Sequence, residues 1–543
     1  MNIREILQTH FGHHDFRDLQ EPAIQRLLLG ENTLCLMPTG VGKSIIFQVA
    51  GIALEKTTLV ISPLLALMNQ QTMRLANQKL SVLAFNSALG DSQKQSAALK
   101  DFFKNQPNPR FLYVSPEKLM SDGFLDFVLR KNRDEIGLVV VDEAHCVSQW
   151  GHDFRPAYKF IPQCLDTIFG AEPRPPILCL TATLAPRDLE EVCRDFGIPK
   201  QGVLRSEEIL RSNIELIIEP VFENHKAKVA RLREILEKHW GEKIIVYTHI
   251  KRYSYGTRKM AELFATDFSC QPFDADLPED EKRNTLSAFE RGDLKIVFAT
   301  SAFGMGIDIQ DIRVVVHYLM PESIEQYIQE TGRAGRDDKP SFAYLLHTPA
   351  NVKVREDLIR QDFSVEALSE LFYGQLFMKN YRQDNPSRYL IYDWSDAKEE
   401  EMLPKLFFQM QQFGLATPPV RCFQFVDCFE ARVENAVFKQ YASLPDIFAL
   451  DDVARHVGEP LAAVAEKIYE EFYHDRLKLK RQMKNVLFFR LTRIFEANDF
   501  ELLAAAMNER ATVRLNNFRQ FCDFIELDAP EREGQLRHFW SST

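Results

Sequence analysis

MPTGVGKS, Met37 to Ser44, stands between the apolar run TLCL and the helical pattern KSIIFQVAGIALE. A buried strand, a glycine-containing turn and a helix in that order bring the turn's amide groups and the helix N-terminus to one point, and such a point attracts anions. Read as a phosphate loop, the stretch assigns Lys43 to the β- and γ-phosphates of a nucleotide and the Ser44 hydroxyl to Mg²⁺. Thr39, Gly40 and Gly42 form the turn, where glycine lets backbone approach phosphate closely. Met37, however, occupies the position where such loops usually carry glycine. The stretch by itself also fits a chance turn before a core helix.

LVVVDEAH, Leu138 to His145, removes most of that ambiguity. Its apolar run delivers two adjacent carboxylates at a strand end, which a merely structural strand would have to desolvate at a cost. Asp142 suits Mg²⁺, held directly or through water, and Glu143 suits the orientation of an attacking water. An acidic strand end that caps the next helix is the competing reading of the pair taken alone.

Outward from these two stretches, residues 30–180 alternate short β-rich runs with helical patterns. TLCLM, TLVIS, FLYVS, LVVVD and ILCLT each end at a Pro, Gly, Ser, Thr or acidic residue, as buried parallel strands do when their carboxyl ends carry the working residues. A second set, IELIIEPV, KIIVYT, KIVFAT, RVVVHYL and FAYLL, runs from about 214 to 347. Two α/β sheets in tandem are expected. Beyond about residue 350 helical periodicity dominates. DAKEEEMLPKLFFQMQQFGLATP and LDDVARHVGEPLAAVAEKIYEEFYHDRLKLK each suit a winged helix-turn-helix, and each also suits a small helical bundle.

The chain has 543 residues, 45% hydrophobic and 26% charged, a globular composition long enough for three or four folded units at about 100–200 residues each. Its start, MNIREILQTH, lacks the order of a secretory signal, and no apolar run approaches the roughly 20 residues of a membrane span. A cytoplasmic protein with no membrane partner is expected. Nine cysteines without a CxxC pair argue against a disulfide framework or a zinc ribbon. The net charge of −11 excludes a surface that is basic throughout, yet a local basic groove still binds nucleic acid, because screening confines its field to about a Debye length.

MPTGVGKS and DEAH together resemble motifs I and II of superfamily 2 helicases, in which the first glycine of the loop is commonly absent. Further stretches resemble the RecQ DNA helicases specifically. FGHHDFRDLQ, Phe11 to Gln20, resembles that family's adenine-reading motif, implying base contact by Gln20 with Arg17 nearby; a glutamine amide both donates and accepts, as adenine's edge requires. SPLLALMNQQ and VSPEKL resemble motifs Ia and Ib, which implies contacts of Ser62, Pro63 and Ser115 with the nucleic-acid backbone. CVSQWGHDFRPAY, Cys146 to Tyr158, resembles the aromatic-rich loop that senses single-stranded DNA, with Gln149, Trp150, His152, Phe154 and Arg155 as the implied contacts. TAT, Thr181 to Thr183, resembles motif III. ATSAFGMGID and QETGRAGRD resemble motifs V and VI. They imply a DNA contact by Thr300, a nucleotide contact by Gly306 and Asp308, and an arginine finger at Arg336 beside Arg333, so that Lys43, Asp142, Glu143, His145, Arg333 and Arg336 form the catalytic set.

The resemblance covers about residues 5–347 and then weakens. FDADL, Phe273 to Leu277, stands where the family usually shows a YHAGL-like stretch, and IIVYTHIKR replaces the usual motif IV wording. The family's four clustered cysteines are missing: Cys422, Cys428 and Cys522 lie too far apart to make the pattern, so no structural zinc is expected. MNERATVRLNNFRQF, Met507 to Phe521, faintly resembles the helical part of that module. In RLKLKRQMKNVLFFRLTR, seven basic residues from Arg476 to Arg493 occur with no acidic one, which fits a duplex-binding wing and equally a solvated basic face.

The resemblance therefore implies an α/β fold: two tandem RecA-like P-loop domains with parallel sheets, at 1–205 and 206–350. A mainly helical C-terminal region with winged-helix-like modules follows, at 351–440 and 441–543. It implies a monomeric, ATP- and Mg²⁺-dependent helicase moving 3′ to 5′ on single-stranded DNA and unwinding duplex DNA in repair or recombination, with room for a protein partner on the C-terminal third. An RNA helicase, a translocase that separates no strands, and an ATP-switched scaffold are the alternatives. Intact Glu143 and Arg336 speak against the scaffold.

Overall fold

The computed structural model describes residues 2–63, 65–85, 92–116, 119, 129–148, 156–170, 173–219, 222, 224–251, 255–304, 309–360, 363–373, 389–393, 402–416, 422–425, 447–449, 454, 457–460, 463–464, 467, 479–480, 486–493 and 495–542.

The first sheet contains β1 (Thr33–Leu36), β2 (Thr57–Ile61), β3 (Ser81–Phe85), β4 (Arg110–Val114), β5 (Ile136–Val141), β6 (Ile177–Thr181) and β7 (Val203–Arg205). The order is β3-β4-β2-β5-β6-β1-β7, with every pairing parallel. Its central strands are apolar throughout because helices cover both faces, so alternate residues enter two separate cores. Leu34, Leu36, Leu59 and Ile61 join one core, while Cys35, Met37, Val60 and Val140 join the other.

The second sheet contains β8 (Ile214–Ile218), β9 (Lys243–Tyr247), β10 (Cys270–Phe273), β11 (Ile296–Ala299), β12 (Ile312–His317) and β13 (Ser341–Leu345), in the order β10-β11-β9-β12-β13-β8, again all parallel. Ile244 and Val246 face one core, and Ile245 and Tyr247 the other.

All ten expected runs form strands. β3, β7 and β10 were not expected, and all three lie at sheet edges. Edge strands have one neighbour and carry less apolar sequence: three residues of β3 are half-buried, and β10 holds exposed Gln271 and a half-buried Pro272, which an edge tolerates.

The C-terminal region differs from the expected division at 440/441. β14 (Tyr389–Asp393) pairs antiparallel with β18 (Val486–Arg490), and β15 (Cys422–Phe425) pairs with both β16 (Ile447–Ala449) and β17 (Leu479–Lys480). Leu371, Phe372, Leu406 and Met410 share a core with Leu491, Phe495, Phe500 and Leu503, and Phe372 stacks on Phe495 at 4.3 Å. The two expected units interleave as one. Most of the winged-helix candidate at 443–492 lies outside the described residues, as do Arg476, Lys478, Arg481 and Lys484 of the basic run; Arg493 in that run pairs with Asp499.

MNERATVRLNNFRQF falls within one 30-residue helix, Ala497–Glu526. Phe521 and Phe524 of that helix pack 5.5 and 6.3 Å from the Tyr327 ring, and Arg514 pairs with Glu322 at 2.6 Å. Glu509 reaches Arg187 of the first lobe at 3.6 Å. A single core therefore runs from the first sheet through the helix Ile324–Thr331 to this long helix.

Candidate active site

The phosphate loop follows β1. Met37 N donates to Thr181 O at 3.1 Å, continuing the ladder with β6, and the Met37 side chain is fully buried in the core. The position that lacks glycine thus directly follows β1 and extends its ladder, and its side chain is buried in the core. Gly40 and Gly42 both have φ of 85°, a left-handed backbone that glycine adopts without strain. The helix Lys43–Leu54 begins at Gly42 with no side-chain cap, which leaves its first amides for an anion. Ser44 is half-buried in the first turn of that helix.

Lys43 Nζ lies 3.3 Å from Met37 O. Burial lowers its pKa, the charges of Glu143 and Asp142 raise it, and Arg336 and Arg333 of the second lobe lower it again. All five residues thus lie within electrostatic reach across the cleft.

β5 delivers the carboxylates. Asp142 is buried, and it accepts weakly from Ser62 Oγ at 3.4 Å and from Glu143 N at 3.1 Å. Burial, then the neighbouring Glu143 charge, push its pKa up. Glu143 has φ of 52°, an uncommon left-handed conformation for a non-glycine residue at a strand end. Burial alone would raise its pKa, but the His145 contact and the Lys43, His145 and Arg333 charges outweigh it and hold the carboxylate low. Glu143 Oε2 is 3.3 Å from His145 Nδ1, yet it is buried without an aligned hydrogen bond. Buried Asp142, with so few donors, and the Ser44 hydroxyl are chemically suited to hold a divalent cation.

His145 Nδ1 lies 3.0 Å from Thr181 Oγ1, and that hydroxyl donates to Thr183 O at 3.2 Å. With its proton engaged there, the Thr181 hydroxyl is placed to accept from Nδ1.

From the second lobe, Arg333 is buried against the Tyr247 side chain, and a Cβ placed on Gly40 would lie 3.0 Å from Arg336 Cγ. Thr39 Oγ1 donates to Gly332 O at 2.8 Å, a direct bond between the lobes. Arg211 and Asn213, in the segment between β7 and β8, were not singled out from the sequence. Arg211 donates to Thr39 O, to Ala334 O and to Gly332 O, the last at 3.0 Å. Asn213 Nδ2 donates to Gly335 O at 2.8 Å and Lys339 O at 2.7 Å. ILRSNIEL has no periodicity, glycine or paired charge that marks it.

The remaining expected positions divide. Gln20 is buried, and its amide donates to Val41 O at 3.1 Å and Gly42 O at 3.0 Å while accepting from Arg17 N at 2.9 Å. It therefore braces the phosphate loop. Arg17 is exposed, 3.9 Å from Asp338. Ser62, expected on nucleic acid, is 1% exposed and its hydroxyl lies 3.4 Å from Asp142. Thr300 is likewise nearly buried, its Oγ1 accepting from Ala302 N at 3.3 Å, because β11 ends there under its neighbours. Pro63 is buried and Ser115 half-buried. Gln149, Trp150, His152, Phe154, Arg155, Gly306 and Asp308 lie outside the described residues.

Residues 17–192 match the model of the DEAD/DEAH box helicase family, and residues 227–338 match that of the helicase conserved C-terminal domain. The ATP-dependent DNA helicase RecQ of Pasteurella multocida (strain Pm70) is 35% identical over 347 residues, 64% of this chain and 52% of that protein. The "Probable ATP-dependent DNA helicase RecS" of Bacillus subtilis (strain 168) is 34% identical over 365 residues, 66% of this chain and 70% of that protein. The chain thus spans about half the length of the first of these relatives. A crystal structure of the DUF1998 helicase MrfA bound to DNA shares the fold, with a TM-score of 0.53 at 16% identity over 81% of this chain and 60% of that one. With the phosphate loop, the paired carboxylates and the two arginines assembled across one cleft, and with these relatives, the chain belongs to the RecQ helicase family.

Proposed function

We propose that the chain hydrolyses ATP with Mg²⁺ and uses the energy to move 3′ to 5′ along single-stranded DNA and unwind duplex DNA. The observation that carries this reading is the convergence of Lys43, Asp142 and Glu143 of one lobe with Arg333 and Arg336 of the other. Family membership supports the choice of ATP and DNA, since the relatives named above are called ATP-dependent DNA helicases.

In this reading the amides of residues 39–44 and Lys43 bind the phosphates, and Ser44 and Asp142 hold the cation, which neutralises phosphate charge. Glu143 orients the attacking water, and its depressed pKa keeps it ionised for that task. Arg336, with Arg333 behind it, stabilises charge on the γ-phosphate only when the cleft is closed. His145 passes the state of Glu143 to Thr181 at the end of β6. The aromatic-rich loop would stack on bases of the tracked strand. A monomer in the cytoplasm without zinc completes the proposal; among the described residues no helix is long and apolar enough to cross a membrane.

The test is strand separation on duplexes with a 3′ tail, a 5′ tail or no tail, in DNA and in RNA, with and without ATP. ATP-dependent unwinding of the 3′-tailed DNA alone is expected. Preference for RNA, or hydrolysis with no unwinding, would overturn it.

A further inference from the structure

We infer that Arg211 is a positioning residue that ties the two lobes across the nucleotide cleft and thereby sets Arg336 against the phosphate loop. The inference rests on the ATP-hydrolysis reading. It concerns a residue in neither lobe's sheet.

Arg211 follows β7 and precedes β8, in the segment that carries the chain from one lobe to the other. It is 7% exposed, and its guanidinium donates to three backbone carbonyls. One amino group donates to Thr39 O in the phosphate loop. The other donates to Gly332 O and Ala334 O, which flank Arg333. Nε is buried with no partner. Asp337 and Asp338 act on it only as more distant charges, while burial first and Arg336 second hold its pKa down at about 10.

A buried guanidinium beside another cation is a costly arrangement for a purely structural staple. It becomes intelligible when closure is its task. The three carbonyls lie on opposite sides of the cleft, so any separation of the lobes breaks the bond to Thr39 or the bonds to Gly332 and Ala334. Thr39 Oγ1 donates to the same Gly332 carbonyl, which makes the contact a two-bond bridge. Two residues on, Asn213 takes Gly335 O and Lys339 O, so residues 211–213 hold the whole turn that presents Arg333 and Arg336. A Cβ placed on Gly40 would lie 2.6 Å from Arg211 Nη1 and 3.0 Å from Arg336 Cγ. The two arginines share that glycine's open side, and displacement of one moves the other. Lysine cannot replace this fork, because a single ammonium cannot span carbonyls on two lobes in the same geometry.

The experiment is steady-state ATP hydrolysis by the full chain with single-stranded DNA, comparing wild type, Arg211→Ala, Arg211→Lys and Lys43→Ala, with melting temperature recorded for each. In Arg211→Ala, kcat is expected to fall about 10- to 100-fold, the scale of a misplaced catalytic group, while KM for ATP changes less than about threefold. Arg211→Lys is expected to show the same loss at an unchanged melting temperature, and this variant decides the matter if the alanine variant does not fold. Wild-type kcat in either Arg211 variant, with Lys43→Ala inactive, overturns the inference and leaves the hydrolysis reading standing. An inactive wild type, or an active Lys43→Ala, overturns the hydrolysis reading itself.

Discussion

His145 Nδ1 and Thr181 Oγ1 are 3.0 Å apart, which joins the carboxyl end of β5 to that of its neighbour β6 beside Glu143. Thr181→Val keeps the side-chain shape and removes the acceptor. With a hydrogen bond of about 1 kcal/mol at stake, DNA-stimulated hydrolysis should fall about fivefold while DNA-independent hydrolysis stays within about twofold. ATP turnover with and without single-stranded DNA measures both.

Lys43→Ala should abolish turnover, with kcat reduced at least about 100-fold, because Lys43 is the phosphate-loop cation that faces both Asp142 and Glu143. Phosphate release under saturating ATP and Mg²⁺ measures it. Activity within tenfold of wild type would contradict the assignment of the site.

Asp142 is costly to the fold. Its pKa is raised, so the folded state holds a proton that the unfolded chain has already released, and stability declines as pH rises from the ordinary carboxylate range toward the raised value. Asp142→Asn should therefore melt higher than wild type at pH 8 and nearly level with it at pH 4. Each kcal/mol recovered should add about 2–4 °C in a domain of this size. The same substitution should abolish hydrolysis at any Mg²⁺ concentration.

His249 is buried within 3.3 Å of Glu330, stacks on Tyr247 at 5.5 Å and lies near His317 and Arg355. Burial, against the pull of Glu330, depresses its pKa. The unfolded chain then binds the proton first, so stability is present above the ordinary histidine range and is lost as pH falls below about 6.5. Thermal melts between pH 8 and 5 should show a shallower acid loss in His249→Gln than in wild type. An identical pH profile would remove His249 as a contributor.

Phe521→Ala should detach the long C-terminal helix from the helix Ile324–Thr331. Phe521 is fully buried and 5.5 Å from Tyr327, so about 3–5 kcal/mol should be lost locally. Limited proteolysis should cut within 497–526 first, and ATP turnover should fall with it, since Tyr327 lies on the helix that leads into Arg333.

The sheets were legible because doubly covered strands such as LVVVD and KIVFA leave long apolar runs, and the nucleotide site was legible because its chemistry is concentrated in contiguous stretches. The contact of Ser62 with Asp142 was not legible because its neighbourhood is not sequential: Asp142 lies 80 positions away. Arg211 and Asn213 escaped notice because they act through backbone carbonyls, which leave no pattern in residue type. The interleaving of the two C-terminal units was equally hidden, since antiparallel partners such as Tyr389 and Arg490 are about a hundred residues apart and neither strand is marked by its own composition.

Gln20 holds the carbonyls of Val41 and Gly42 with the same amide group that a purine would recruit. If Gln20 reads the base as the family resemblance implies, recognition of the base and the shape of the phosphate loop would be alternative uses of one side chain. Nucleotides with the wrong base would still bind through their phosphates, but they would leave the loop in its resting form. Selectivity among nucleoside triphosphates would then appear in how fast they are consumed more than in how tightly they are held.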